Sequence, residues 1–570
     1  MPDYRPDNPL IVQGDHSILA EVASPRYEAA RDHLVRFAEL VKAPEHVHTY
    51  RVSPLSVWNA CAAGLGAPEI LEALREYSKY AIPDHVATEI ADFASRYGRL
   101  RLIRDSRGMI LSTDDPALAE EVAYAKQTAP FLAARLSPLE FQISPIARGD
   151  IKQALVKLGF PAEDLAGYTE GEPLALDLRE QTAAGQPFSL RHYQTKAARA
   201  FHAGGSLAGG SGVITLPCGA GKTIVAMACM AQLQTSTLIL TTSVSAVRQW
   251  IRELLDKTTL REDQVGEYSG LAKDVRPVTI ATYQIMGWRP AKGDNGDFPH
   301  LSLFSERNWG FIVYDEVHLL PAPVFRVTAS LQARRRLGLT ATLVREDGRE
   351  DDVFALIGPR KADVPWKVLE SQGWIATARC TEVRLPMPEH LRMPYAVANA
   401  RDKFRIASEN PDKIRAVRRI LAQHPDEPAL LIGMYLDQLE ALAKPLGLPV
   451  ITGSTPQRRR DELFGDFREG RIRVLAVSKV ANFAIDLPEA SLAIQVSGTF
   501  GSRQEEAQRL GRILRPKPGR NQASFYTIVS RDTVEQDFSL QRQLFLCEQG
   551  YAYSILDGEQ LTADPLQAVS

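Results

Sequence analysis

Cysteine is scarce in this chain: five occur among 570 residues, scattered singly at Cys61, Cys218, Cys229, Cys380 and Cys547. No C-x-x-C pair is present, which argues against a zinc ribbon or an iron–sulfur site. The scattered thiols also argue against a disulfide framework and fit a reducing compartment. We therefore expect no structural metal and a cytoplasmic location.

Long apolar runs and an excess of one charge are missing as well. The first residues, MPDYRPDNPL, lack the basic start and apolar run of a signal peptide. No stretch approaches the length of a membrane span, so we expect no membrane partner. The formal net charge is −2, so any nucleic-acid surface must be local and set against acidic faces elsewhere.

Length and composition leave room for several packed cores, because 45% of the residues are hydrophobic. Residues 1–113 read as an α/β accessory domain, in which short helical patterns precede a hairpin that turns near Ser106–Gly108. This order fits a winged helix and an ordinary small α/β domain equally well. Residues 114–183 read as a second, smaller accessory domain, and the linker-like QTAAGQP follows its last strand-like segment.

The pattern changes from Phe188 onward, where apolar runs of strand length alternate with helical stretches. Examples are GVITL, TLILTT and FIVYDE, and the rhythm resumes later with ALLIGMY, RVLAVS and SFYTIVS. Continuous apolar strands that alternate with helices predict parallel sheets covered on both faces. Two such runs predict two tandem α/β lobes, which we place at residues 184–372 and 373–570.

A candidate phosphate-binding loop, PCGAGKT, follows the strand GVITL and precedes the helical stretch IVAMACMAQL. Gly219 and Gly221 would let backbone N–H groups approach phosphate oxygens, because no Cβ stands in the way. Lys222 would reach the β- and γ-phosphates of ATP, and the Thr223 hydroxyl would hold Mg²⁺. This loop predicts that ATP and Mg²⁺ are bound.

The segment FIVYDEVH places two carboxylates directly after a buried strand. Asp315 at the strand's carboxyl end fits a Mg²⁺ ligand, and Glu316 fits the general base that activates the attacking water. His318 would couple the nucleotide to the facing lobe.

The later segment QEEAQRLGRILR could supply cations to the growing charge on the γ-phosphate. Helical spacing places Gln508, Arg512 and Arg515 on one face, and the two arginines are candidate arginine fingers. At the start of the first lobe, Gln194 could hydrogen-bond the adenine edge and Arg191 could stack on the base.

Taken together, these segments resemble superfamily 2 helicases and, within them, the XPB family of excision-repair helicases. The resemblance covers about Phe188 to Leu556 and includes LGLTATLVRED, QRLGRILR and EQGYAYSI. The stretch ARGDIKQALVKLGFPAEDLAGY resembles the small damage-recognition domain of that family. The resemblance implies an α/β fold of two tandem RecA-like parallel-sheet lobes preceded by small α+β accessory domains.

The family implies an ATP-driven DNA helicase of 3′-to-5′ polarity that opens duplexes during repair, with DNA and a repair nuclease as candidate partners. With His318, the residues expected to couple the nucleotide to DNA are Thr340, Thr342, Arg345, Glu346 and Asp347. By position, the family implies DNA-backbone contacts at Thr242, Arg248, Thr282, Ser454 and Ser478. Such contacts carry no sequence preference, since they go to phosphates.

Three other functions fit the same core. An RNA-directed helicase would respond to RNA rather than duplex DNA. A duplex translocase or remodelling subunit would move without separating strands. A nucleotide-switched scaffold would show little turnover, although it would have no need of Glu316, Gln508, Arg512 and Arg515.

Overall fold

A computed structural model describes most of the chain: residues 4–42, 46–144, 147–206, 209–217, 219–288, 299–321, 324–325, 327–328, 334–341, 350–364, 366–478, 490–498, 521–548, 551 and 553–558. Two compact units are present, one made of Met1–Leu216 and Gly221–Val364, the other of Pro365–Ser570 and Pro217–Ala220. Within these described ranges, no helix is long and apolar enough to cross a membrane. The same ranges contain no group of three or more metal-ligating side chains.

The first unit begins with a four-stranded antiparallel sheet in the order β1-β2-β4-β3. Its strands are β1 (Leu10–Val12), β2 (Ser17–Glu21), β3 (Glu39–Lys42) and β4 (Val47–Arg51), and its helices are α1 (Tyr27–Leu34), α2 (Pro54–Ala62), α3 (Ala67–Tyr77) and α4 (Asp84–Arg96). The segment SPRYEAARDHLVRFAELV, one of the short helical patterns predicted in residues 1–113, is only partly helical, because its end pairs with β4 as strand β3.

A second sheet contains five strands in the order β7-β8-β6-β5-β9. Its elements are β5 (Leu100–Asp105), β6 (Gly108–Thr113), α5 (Pro116–Tyr124), β7 (Leu132–Ser137), β8 (Glu140–Ile143), α6 (Arg148–Leu158) and β9 (Glu163–Asp164). The predicted hairpin is confirmed as β5–β6, but it pairs with β8 and β9 rather than with the first sheet. The sheet therefore runs across the boundary placed after Thr113, and both interpretations of residues 1–113, a winged helix and a small α/β domain, stay predictions.

The first lobe is a seven-stranded parallel sheet in the order β12-β13-β11-β14-β15-β10-β16. Its strands are β10 (Ser211–Thr215), β11 (Thr237–Thr241), β12 (Val265–Tyr268), β13 (Val278–Thr282), β14 (Phe311–Asp315), β15 (Arg335–Thr340) and β16 (Arg360–Asp363). Its helices are α7 (His192–His202), α8 (Lys222–Leu233), α9 (Val244–Lys257), α10 (Tyr283–Met286), α11 (Leu303–Glu306) and α12 (Glu350–Leu356). Fully buried strands such as β10, β11 and β13 explain the continuous apolar runs in the sequence.

The second lobe is a separate seven-stranded parallel sheet in the order β19-β20-β18-β21-β22-β17-β23. Its strands are β17 (Thr377–Leu385), β18 (Ala429–Gly433), β19 (Val450–Ile451), β20 (Val474–Ser478), β21 (Leu492–Gln495), β22 (Gln522–Ser530) and β23 (Tyr553–Asp557). Its helices are α13 (Trp366–Ser371), α14 (Glu389–Val397), α15 (Ala400–Ser408), α16 (Lys413–Gln423), α17 (Leu436–Ala443), α18 (Gln457–Arg468) and α19 (Val534–Glu548). The predicted fold class, two parallel-sheet lobes after small α+β domains, is confirmed.

A buried charge cluster links the five-stranded sheet to the first lobe. Asp164 accepts hydrogen bonds from Arg148 (2.6 and 3.1 Å) and from Lys152 (3.0 Å). The guanidinium groups of Arg148 and Arg336 both lie over the Tyr168 ring, at 5.5 and 5.8 Å from its centroid. Burial lowers the pKa of Lys152 to about 8, although Asp164 partly opposes this shift.

Candidate nucleotide site

Polar side chains line the carboxyl edge of the first parallel sheet. Neighbouring strands β13, β11, β14, β15 and β10 end, in that order, at Thr282, Thr241, Asp315, Thr340 and Thr215. Ligands of open parallel sheets bind outside the carboxyl ends of the strands. The topology therefore places hydroxyl groups and the Asp315 carboxylate at the same sheet edge at which the predicted phosphate loop begins, directly after β10.

The loop between β10 and α8 contains two glycines in the left-handed backbone region. Gly219 has φ +81° and Gly221 has φ +83°, a conformation that side chains with a Cβ rarely adopt. A Cβ on Gly221 would also lie 2.5 Å from Nε2 of Gln194. Lys222 and Thr223 follow directly in the first turn of α8, at the helix end that favours anions. The loop therefore has the form that binding a polyphosphate requires.

The acidic pair lies beside the lysine. Lys222 Nζ forms a direct ion pair with a carboxylate oxygen of Glu316, and both side chains are mostly buried. Glu316 has φ +50°, which is unusual for a residue with a side chain and which turns the chain sharply after β14. Burial raises the pKa of Asp315, and the neighbouring Glu316 carboxylate adds to the effect.

Asp315 is held by two residues that we did not single out from the sequence. Its Oδ2 accepts hydrogen bonds from the Trp250 indole N–H (2.9 Å) and from the Thr241 hydroxyl (3.3 Å). Trp250 shares the buried face of α9 with Val247 and Leu254. That spacing indicates a core position, so sequence pattern alone carries no signal for the hydrogen bond.

His318 completes the group of predicted site residues at this edge. Its Nδ1 lies 2.8 Å from the Thr340 hydroxyl and 3.6 Å from Glu316 Oε2. Two of the residues predicted to couple the nucleotide to DNA are thus in direct contact within the first unit. His318 thus lies next to both Thr340 and the carboxylate assigned as the base, and its coupling role stays a prediction.

Gln194 and Arg191 lie at the start of α7. Gln194 is buried, and its amide oxygen accepts the backbone N–H of Arg191 at 3.0 Å. The Arg191 guanidinium donates to the Tyr193 hydroxyl at 3.1 Å. These bonds hold the start of α7, and the Gln194 side chain lies next to Gly221. The adenine contacts of Gln194 and Arg191 stay a prediction.

Comparisons with known proteins agree with this geometry. Family models match residues 369–568 (ERCC3/RAD25/XPB C-terminal helicase), 10–137 (Helicase conserved C-terminal domain) and 187–345 (Type III restriction enzyme, res subunit). A protein named DNA 3'-5' helicase XPB from Kineococcus radiotolerans is 54% identical over 97% of both chains. Its namesake from Mycobacterium tuberculosis is 53% identical over 97% of this chain and 99% of its own. The chain belongs to the XPB family. It is also similar, at 31% identity over 97% of this chain and 73% of the relative, to the XPB/SSL2 helicase/translocase subunit of Saccharomyces cerevisiae.

The DNA-contact candidates of this XPB-family chain differ in exposure. Arg248 and Ser454 are exposed, and Thr242 is half-buried directly after β11. Thr282 is buried and caps α10, where its hydroxyl accepts the Ile285 N–H at 3.3 Å. Ser478 is buried at the end of β20. Exposure thus favours Arg248 and Ser454 among the five predicted contacts.

The remaining predicted site residues of this XPB-family chain lie outside the described residues. They are Thr342, Arg345, Glu346, Asp347, Gln508, Arg512 and Arg515. Their roles stay predictions from the sequence.

Proposed function

We propose that this chain is an ATP-dependent DNA helicase that moves 3′ to 5′ and opens duplexes during DNA repair. The names of its bacterial relatives, DNA 3'-5' helicase XPB, support the polarity and the substrate. The observation that carries the proposal is the cluster of Lys222, Asp315 and Glu316 at the carboxyl edge of the first sheet. Lys222 directly follows the glycine loop, and the two carboxylates directly follow the end of β14.

Each side chain of the cluster has a distinct role in the proposed reaction. Lys222 binds the β- and γ-phosphates, and its partner Glu316 accepts the proton of the attacking water. Thr223 and Asp315 would hold Mg²⁺, which would neutralise charge on the phosphate oxygens. The residue types fit this cation, since hydroxyl and carboxylate oxygens are its preferred ligands. Arg512 and Arg515 of the second lobe stabilise the charge that develops on the γ-phosphate.

ATP hydrolysis and strand separation test the proposal together. We expect duplex DNA to stimulate phosphate release more than RNA does, and Lys222→Ala to abolish it. A duplex with a 3′ single-stranded tail should be opened, and one with a 5′ tail should not. Stimulation by RNA alone, or opening only of the 5′-tailed duplex, would contradict the assigned substrate or polarity.

The name of the relative from Saccharomyces cerevisiae, a helicase/translocase subunit, favours one second candidate, a duplex translocase. Such an enzyme would displace a third strand from triplex DNA but leave a tailed duplex intact. The two assays therefore separate the candidates with the same preparation.

Further parts of the proposal concern partners and place. We propose a repair nuclease as a partner, because a helicase that opens a damaged duplex exposes a strand for incision. We also propose that the protein works in the cytoplasm. The nuclease proposal would be supported if a nuclease co-purifies with the tagged full-length chain from cells with damaged DNA and does not do so from undamaged cells.

A further inference from the structure

Two residues of one short segment of the first unit, the end of β11 and the start of α9, contact Asp315. Thr241 ends β11, and Trp250 lies two turns into α9. Both donate hydrogen bonds to the same oxygen, Oδ2 of Asp315, and both are almost completely buried. Oδ1 of Asp315 accepts no hydrogen bond from the residues that the structure describes.

This arrangement orients the carboxylate. Two donors on one oxygen of Asp315 fix the rotation of the carboxylate and direct the other oxygen away from them. Hydrogen bonds of this kind to a metal-ligating group hold it in the geometry that the metal requires. The second oxygen is therefore the one presented to a cation.

The same segment carries the predicted DNA contacts on its other side. Thr242 is half-buried directly after Thr241, and the Arg248 side chain is 55% exposed two residues before Trp250. Ser243 caps the helix by accepting the Ala246 N–H at 3.2 Å, which fixes the start of α9 to the end of β11. A force on Thr242 or Arg248 therefore moves Trp250 with the helix.

We propose that Trp250 is a positioning residue for the Mg²⁺-binding carboxylate and that, through α9, it makes the placement of Asp315 respond to DNA bound at Thr242 and Arg248. This inference rests on the proposed function. The inference goes beyond that function because it names the physical link through which DNA binding affects the nucleotide site. The link is one helix and two hydrogen bonds.

The test measures nucleotide binding rather than turnover. The affinity of the full-length chain for a fluorescent, non-hydrolysable ATP analogue is measured in EDTA and in saturating Mg²⁺. We expect Trp250→Phe, which keeps the aromatic ring but loses the N–H, to reduce the Mg²⁺-dependent gain about tenfold. The matched control is Trp309→Phe, because Trp309 is buried in the same unit and donates to the Leu303 carbonyl at the same 2.9 Å. The control should keep the wild-type gain.

A second measurement tests the link to DNA. Duplex DNA should lower the Mg²⁺ concentration that half-saturates analogue binding to the wild-type chain, and this shift should shrink in Trp250→Phe. If Trp250→Phe does not fold, Thr241→Val, which removes only the second donor, replaces it and should reduce the same gain. The inference is overturned if these variants keep the wild-type Mg²⁺-dependent gain in analogue affinity and the wild-type effect of DNA on the half-saturating Mg²⁺ concentration. A wild-type chain without any Mg²⁺-dependent binding would instead refute the proposed function.

Discussion

Lys222 and Glu316 are ion-paired across the carboxyl edge of the first sheet, although they are 94 residues apart in the sequence. The lysine predicted to bind phosphate thus contacts the carboxylate predicted to act as base. Phosphate oxygens carry the same charge as Glu316, so they compete with it for Lys222. Nucleotide binding is therefore expected to release the carboxylate from the lysine.

Glu316→Gln should separate binding from turnover. Removal of the negative charge frees Lys222 for phosphate, so the affinity for the ATP analogue should stay or rise. Phosphate release should fall by about 10²–10⁴-fold, the contribution typical of a general base. The measurements are analogue titration and steady-state phosphate release.

The control for this variant is Glu172→Gln, which breaks another ion pair of the first unit, that between Glu172 and Arg307. It should leave both quantities unchanged. Normal turnover in Glu316→Gln would refute the assigned base.

Gly221→Ala should weaken nucleotide binding for two reasons. The left-handed backbone at φ +83° is disfavoured for alanine by about 1–2 kcal/mol, and the added Cβ meets the Gln194 side chain. Gly185→Ala is the matched control, because Gly185 has φ +77° and open space around its Cβ position. Both variants should be destabilised in thermal unfolding, whereas only Gly221→Ala should lose affinity for the ATP analogue. Equal affinity in the two variants would contradict the assigned phosphate loop.

Arg512→Ala tests the contribution of the second lobe. An arginine finger acts on the transition state, so we expect kcat to fall about 10³-fold with little change in nucleotide affinity. Arg458→Ala is a suitable control, since Arg458 lies on α18 with its side chain 93% exposed. If Arg512→Ala turns over ATP like Arg458→Ala, Arg512 is not a finger.

Asp164→Asn should destabilise the first unit in a pH-dependent way. Burial alone raises the pKa of Asp164, but the charges of Lys152 and Arg148 outweigh it and bring the pKa below its usual value. A lowered folded-state pKa means that the carboxylate stabilises the fold above about pH 4, and that this contribution disappears as the pH falls further. Loss of the charge removes the carboxylate that pairs with Arg148 and Lys152 in the interior, which costs about 3 kcal/mol.

The measurement compares thermal unfolding of the wild type and Asp164→Asn from pH 7 down to pH 3. The difference between the two should be largest near neutrality and shrink below pH 4. In Asp150, burial instead raises the pKa, so Asp150→Asn should show no such loss at pH 7. A difference that is constant across this range would argue against the ionised pair.

The local parts of the site could be predicted from the sequence. A glycine loop between a strand and a helix, and carboxylates directly after a buried strand, are determined by neighbouring residues. The contacts of Trp250 with Asp315 and of Tyr168 with Arg336 join residues far apart in the chain. Helical spacing therefore indicates only a core position for Trp250, and no local pattern indicates the contact of Tyr168. Strand β3 was missed for the same reason, because its pairing with β4 overrides a helical pattern.

The strand ends of the first sheet also determine where charge can reside. Thr215, Thr241, Thr282 and Thr340 carry hydroxyls that keep their protons over the whole physiological range. Electrostatic control along this edge therefore falls to Lys222, Asp315 and Glu316, with the His318 imidazole beside them and the Asp363 carboxylate at the end of β16. Because all four threonines are buried, an ionisable residue introduced at any of these positions would place a competing charge beside them at a cost in stability, and nucleotide turnover would acquire a new pH profile.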